Sequence, residues 1–220
     1  MKVFSFCLYG SNPKYTLGMI ENIKIINEYF NEWYTYIYYN NIPADILEKI
    51  KTFNNVVLIN STYSSHKTML DRFKSIDNMN VEIMIVRDAD SRIHERDRWA
   101  INEFINSNKK LHIIRDHAAH QRPIMGGLFG IKKGLLNSSI EDKIKKFEII
   151  NENKYDVDQK FLEQYIYHIG IKNNDYLLHG HKIPVYEVNI PFPFHPINDD
   201  FCGQVVEYNN GKPYNFFKYM

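Results

Sequence analysis

Cysteine is scarce in this chain: Cys7 and Cys202 are the only two in 220 residues, far apart and too few for a disulfide framework. A reducing, cytoplasmic compartment is therefore expected. Net charge is also nearly absent, with 27 Lys+Arg against 26 Asp+Glu for a formal +1. That balance argues against nucleic-acid binding through bulk positive charge. With 44% apolar and 24% charged residues, the composition is also unlike that of a disordered chain. No apolar stretch approaches the roughly 18 residues of a membrane span. The opening MKVFSFCLYGSNPKY has a single lysine ahead of a short apolar run, and it reads as a buried strand instead of a signal peptide. There is no HExxH, no cysteine-bearing zinc pattern, no internal repeat and no convincing domain boundary. One soluble globular domain over 1–220 is the expectation.

Aromatic residues are plentiful, with 16 Tyr and 14 Phe, alongside abundant Asn, Ile and Lys. All have AT-rich codons, so genome composition accounts for most of the excess. Exceptions that stack on carbohydrate are expected near Tyr9, Tyr15, Phe129 and Tyr155.

Short apolar runs alternate with amphipathic stretches. Strands are predicted over 3–9, 34–39, 56–59, 81–86 and 111–114. Leu17, Ile20, Ile23, Ile26 and Tyr29-Phe30 mark a first helix. Further helices are predicted over 45–53, from a cap at Ser64-Ser65 to Phe73, and over 95–105, 140–150 and 157–169. The tail holds five prolines between Pro184 and Pro213 and reads as loop. The alternation predicts a Rossmann-like α/β/α sandwich with a mainly parallel sheet.

Asp88-Ala89-Asp90 directly follows an apolar strand, where ligands of open α/β sheets bind. In extended chain two such Cα atoms lie about 6.5–7 Å apart, so a turn is needed for both carboxylates to serve one ion. Hard oxygen ligands suit Mg²⁺ or Mn²⁺; the competing reading is a turn former or helix cap. His112, His117 and His120 cluster, with His179 and His181 later; His112 in a strand and His168 in a helix read as structural. Gly126-Gly127 suits close backbone approach to a ligand or a bulge. Asp156, Asp158 and Gln159 open a helix, where a carboxylate caps the helix or serves as a general base.

Together these pieces resemble a glycosyltransferase of the GT-A fold, and more narrowly a set of small viral and bacterial members. The resemblance is carried in order by LYGSNPKYTLG, Leu70 with Asp71, Arg72 and Phe73, VRDADSRI, IIRDHAAHQRPIMGGLFG, YDVDQKFL, Leu178-His179 and PFPFHPINDDFCGQV. It implies a nucleotide-binding part over about 1–92 and an acceptor and catalytic part over 93–220. Tyr9, Gly10, Asn12 and Arg72 would bind the donor nucleotide, with Arg115 and His117 on its sugar or diphosphate. Asp90, Asp88 and His179 would hold Mn²⁺ or Mg²⁺. Met125, Gly126, Gly127, Gln159 and His195 would face sugar and acceptor. Asp158 would be the catalytic base of an inverting transfer from a nucleoside-diphosphate sugar, UDP-sugar favoured, to a glycan or glycoconjugate hydroxyl. No nucleic-acid partner is implied, and the compartment is cytoplasm, that of an infected cell if the source is viral. The pattern departs at Gly180, where the family has Asp, and at Phe194-His195, where it has a basic residue. Those departures motivate an inactive nucleotide-sugar-binding module as the alternative. A metal-dependent phosphohydrolase or nuclease is the third reading.

Overall fold

The computed structural model describes residues 1–61, 63, 67–148, 156–180, 186–195, 200–209 and 212–215. The first strand, β1 (Lys2–Tyr9), leads into α1 (Pro13–Tyr29). The helix starts there because Asn12 accepts a hydrogen bond from the Lys14 amide at 3.0 Å, while Pro13 brings a pre-set φ and no orphan donor. The chain continues through β2 (Tyr34–Asn40), α2 (Ala44–Lys51), β3 (Val56–Asn60), the short α3 (Thr68–Asp71) and a 3₁₀ stretch (Arg72–Asp77). The expected cap at Ser64-Ser65 lies outside the described residues. Next come β4 (Ile83–Arg87), α4 (Glu95–Asn106), β5 (Leu111–Arg115), β6 (Leu128–Lys132) and α5 (Ile140–Glu148). Residues 149–155, which include the expected end of that helix and Tyr155, are outside the description. The helix expected over 157–169 is α6 (Val157–Leu162), a π turn (Glu163–Tyr167) and α7 (His168–Lys172). β7 (Tyr176–Gly180) completes the sheet. The tail is not all loop: β8 (Val206–Asn209) and β9 (Lys212–Asn215) pair as an antiparallel ribbon.

The seven-stranded sheet runs in the order β3-β2-β1-β4-β6-β5-β7. All pairs are parallel except those of β6, which runs against both β4 and β5. Alternation along β1 divides the core. Phe4, Phe6 and Leu8 face α1 and α4, with Met19, Ile23, Ile101 and Phe104. Val3 faces the opposite layer of Phe73, Phe129, Phe147 and Phe161. Ser5 and Cys7 share Val3's side of the strand by the two-residue period, and Ser5 donates to the Arg72 carbonyl. Phe129, expected near a sugar, is instead fully buried and packs edge-on against Phe73, 5.3 Å between centroids. Among the described residues no helix is long and apolar enough to cross a membrane.

His112 and His179, on adjacent strands, meet at 2.9 Å between Nε2 and Nδ1 beneath Phe104 and Trp99. Burial pushes His179 down to about 4, and His112 also falls well below its usual range, through burial and then the neighbouring His179. Both imidazoles are thus neutral in the fold, while the unfolded chain takes up protons near pH 6.5. Their stability contribution is complete above pH 6.5 and is lost as pH falls toward 4. For His179 the loss between pH 7 and pH 5 is about 2 kcal/mol. His179→Asn, which keeps a polar partner for His112, is expected to flatten the pH slope of urea-unfolding stability over this range. An unchanged slope would contradict the assignment.

Candidate active site

A cavity of about 430 Å³ opens at the carboxyl ends of β1 and β4, where open parallel sheets receive ligands. Its walls include Cys7, Tyr9, Tyr15, Met69, Arg72, Asp88, Asp90, Met125, Gly126, Asp158 and Gln159. The reversed strand explains one wall. Because β6 pairs Leu128 with Arg87, the residues just before β6 arrive at the end of β4, and Gly127 stands against Asp88.

At the centre is a guanidinium between two carboxylates. Arg72 is 2% exposed, and its Nη1 is ion-paired with Asp88 while its Nη2 lies 3.0 Å from Asp158 Oδ2. Arg72 Nη1 also reaches the Arg87 carbonyl at 3.4 Å. Ring packing sets the separation: Phe73, next to Arg72, stacks 5.9 Å from Phe161 on α6, the helix that carries Asp158. A Cβ on Gly127 would collide with the Asp88 carboxylate, and one on Gly126 would collide with Asp158 and Arg72. The glycine pair therefore makes room for the carboxylates. Asp88 is half-exposed and can swing away, so Gly127→Ala is expected to keep the fold by circular dichroism. An unfolded variant would mean that the Asp88 side chain has no room to move.

The Asp88-Ala89-Asp90 loop is a turn, with the Ser91 amide and hydroxyl both donating to the Asp88 carbonyl. Asn22 on α1 donates to the Ser91 carbonyl at 2.8 Å, and Arg92 bridges the Ala89 and Ser91 carbonyls to the Tyr208 hydroxyl. Gly18 lets α1 close onto the Ala89 carbonyl. On the outer side the Val206 amide donates to the Asp90 carbonyl at 2.8 Å, and Lys14 pairs with Glu207 at 3.1 Å. Burial and then the charge of Asp88 push the Asp90 carboxyl up to about 6. Asp158 is likewise raised by burial, against the opposing pull of Arg72. Cys7 is no nucleophile: burial pushes its thiol up to about 12.

Tyr9, Arg72, Asp88, Asp90, Met125, Gly126, Asp158 and Gln159 thus share one cavity, with Gly127 directly behind Asp88. Other expected residues lie elsewhere. Asn12 is exposed as the helix cap, and Gly10, at φ +75°, forms the turn after β1. Arg115 is fully buried, paired with Glu187 and donating to the Pro123 carbonyl at 2.6 Å, with Tyr167 on the other Glu187 oxygen. His117 stacks on Phe201, 4.0 Å between centroids. His179 sits on β7 against His112, Trp99 and Phe192, and does not line the cavity. His195 is exposed beyond it; His181 and Pro196 lie outside the described residues. Asp156, read with Asp158 as a helix-opening carboxylate, also lines the cavity, and sequence reasoning missed Cys7, Met69, Gly203 and Val205 as its walls. The two-residue alternation of β1 puts Cys7 on Arg72's side of the sheet; no sequence signal marks Gly203 and Val205.

No protein-family model and no curated protein sequence matches the chain. Solved structures do. TarS of Staphylococcus aureus superposes over 83% of this chain at TM-score 0.55 and 13% identity. The chain has the GT-A fold. It spans only 36% of that TarS structure. The galactosyltransferase LgtC, solved with donor and acceptor sugar analogs, matches over 81% of this chain and 73% of its own at TM-score 0.52 and 10% identity. The mannosyltransferase PcManGT of Pyrobaculum calidifontis, solved with GDP-Man and Mn²⁺, matches over 84% of this chain and 58% of its own, at TM-score 0.53 and 12% identity. At these identities the likeness is one of fold.

Proposed function

We propose that the chain is a glycosyltransferase that moves a sugar from a nucleoside-diphosphate donor to a hydroxyl acceptor. The observation carrying this reading is the Arg72 guanidinium held between Asp88 and Asp158 in the cavity. In our reading Asp88 is a cation ligand and Asp158 the base, both oriented by one guanidinium. GT-A-fold proteins that bind a sugar nucleotide with Mn²⁺, or donor and acceptor analogs, support it by analogy.

The donor set fits a divalent ion. Asp88 and Asp90 are hard oxygen ligands on one turn, and burial and then the charge of Asp88 raise Asp90 to about 6. They would hold Mn²⁺ or Mg²⁺, which supplies positive charge to a leaving diphosphate. Tyr9 and Tyr15 flank the cavity on the β1–α1 side and suit the nucleotide, UDP in our reading. On the other side Met125, Gly126 and Gln159 suit the sugar and an acceptor glycan. Asp158 takes the acceptor hydroxyl's proton, and attack from the face opposite the leaving group inverts the anomeric centre. Residues to about 92 serve the nucleotide and those from 93 the acceptor, in a cytoplasmic enzyme. Of the residues away from the cavity, Gly10 and Asn12 serve by shaping the β1–α1 turn, and Arg115 by fixing the end of β5.

The test is a thermal-shift screen of nucleoside-diphosphate sugars with and without Mn²⁺. A ligand at a hundredfold its Kd adds about 2.7 kcal/mol. A Mn²⁺-dependent rise with one donor, absent in Asp90→Ala, is expected; no rise with any donor would overturn the reading. Donor binding with neither hydrolysis nor transfer would favour the inactive module.

A further inference from the structure

Separate from the cavity, three side chains of unlike chemistry converge where the tail crosses the start of α4. His94 precedes the helix, Asp97 lies in its first turn, and Cys202 comes from the segment ahead of β8. One ligand atom from each falls within 4.8 Å of the others. Asp97 and Cys202 are completely buried, while His94 keeps its side chain 25% exposed.

The hydrogen bonding there is incomplete. Asp97 Oδ1 accepts from Arg87 Nε at 2.9 Å, but Asp97 Oδ2 has no hydrogen-bond partner among the described residues, and neither has His94 Nε2. These two atoms face each other at 3.7 Å, too far for a hydrogen bond. A carboxylate oxygen left unpaired in a completely buried place is costly. Tetrahedral ions with ligand bonds of about 2.0–2.3 Å hold their ligand atoms about 3.3–3.8 Å apart, so the separation suits two ligands of one ion.

We propose that His94, Asp97 and Cys202 form a binding site for a zinc-type divalent ion, distinct from the carboxylate pair of the cavity. Imidazole, carboxylate and thiolate select a borderline-soft metal over Mg²⁺ or Mn²⁺. The exposed edge of His94 provides the entry path and leaves the fourth position to water. The Cys202 thiol gives up its contact with Asp116 and loses its proton to solvent on binding, so the ion, Arg87 and Arg96 against thiolate, Asp97 and Asp116 leave one net positive charge, next to the solvent-facing edge of His94. Arg87 stays on the far oxygen of Asp97, and the neighbouring Asp116 is neutralised by Arg96. The ion would fasten the tail to α4. Gly203 and Val205, just past Cys202, line the cavity, and the Val206 amide holds the Asp90 carbonyl. The ion would thereby steady one wall of the site.

The experiment strips the full chain with chelator, then titrates it with Zn²⁺ and, separately, with Co²⁺. About one tight zinc per chain is expected, with a rise in melting temperature. Co²⁺ should give thiolate-to-metal absorption in the near ultraviolet. Asp88→Ala/Asp90→Ala should retain both signals, and Cys202→Ser and His94→Ala should lose them. If Cys202→Ser fails to fold, the partly exposed His94→Ala decides on zinc content. Equal uptake by the wild type and His94→Ala, or no uptake by either, would overturn the site. Neither outcome bears on donor binding in the cavity.

Discussion

Arg72→Met is expected to destabilise the chain by about 3–5 kcal/mol at pH 7.5, because it strips a buried carboxylate of its cation partner. The weight falls on Asp158, 7% exposed and 3.0 Å from Nη2; Asp88 is 47% exposed and solvent screens its pairing. Methionine keeps most of the side-chain volume, so the loss is electrostatic and not a cavity effect. The sign with pH follows. Asp158 is already raised by burial with Arg72 present, and it rises further without it. Protonating it removes the penalty, so the variant should recover toward wild type as pH falls from 8 to 5. Urea unfolding at several pH values measures this. A pH-independent deficit, or none, would mean that the Arg72–Asp158 pair is not the element that holds α6 to the sheet.

On the proposed reaction, Asp158→Asn is expected to lower kcat by about 10²–10⁴-fold with little change in donor affinity. The amide oxygen still accepts from Arg72, so the cluster keeps its shape while the proton acceptor is lost. The pH profile separates chemistry from positioning. An ionised base is required, and burial raises Asp158, so the wild-type rate should fall on an acid limb above the ordinary carboxylate range. That limb should vanish in Asp158→Asn. Turnover near that of the wild type would remove Asp158 from the chemistry while leaving the donor site in place.

Much of the fold was legible because its signals are local. The strand at 3–9 and the helix after Asn12-Pro13 follow from a continuous apolar run, a capping side chain and a proline at the first helical position. The carboxylates at Asp88 and Asp90 were legible for the same reason: acidic residues directly after an apolar strand lie at a sheet's carboxyl edge. The β8–β9 ribbon was not, since prolines and a short polar segment carry no period to read. His179 and Arg115 were legible as chemistry but not as placement. Each is a polar residue late in a buried strand, and only cross-strand neighbours decide whether it faces a cavity or a partner such as His112 or Glu187.

Local pattern is enough for the α/β alternation, the carboxyl end of the sheet and the residue types available there, because apolar period, caps and turn residues act within a few positions. The reversed direction of β6 comes from packing, since strand direction depends on which elements cover the sheet. That reversal brings Gly126 and Gly127 to the carboxyl edge, where Asp88 and, across 86 residues of chain, Asp158 close on Arg72. Long-range pairing of buried charge depends on the packing of Phe73, beside Arg72, against Phe129 and Phe161, and no local pattern encodes it.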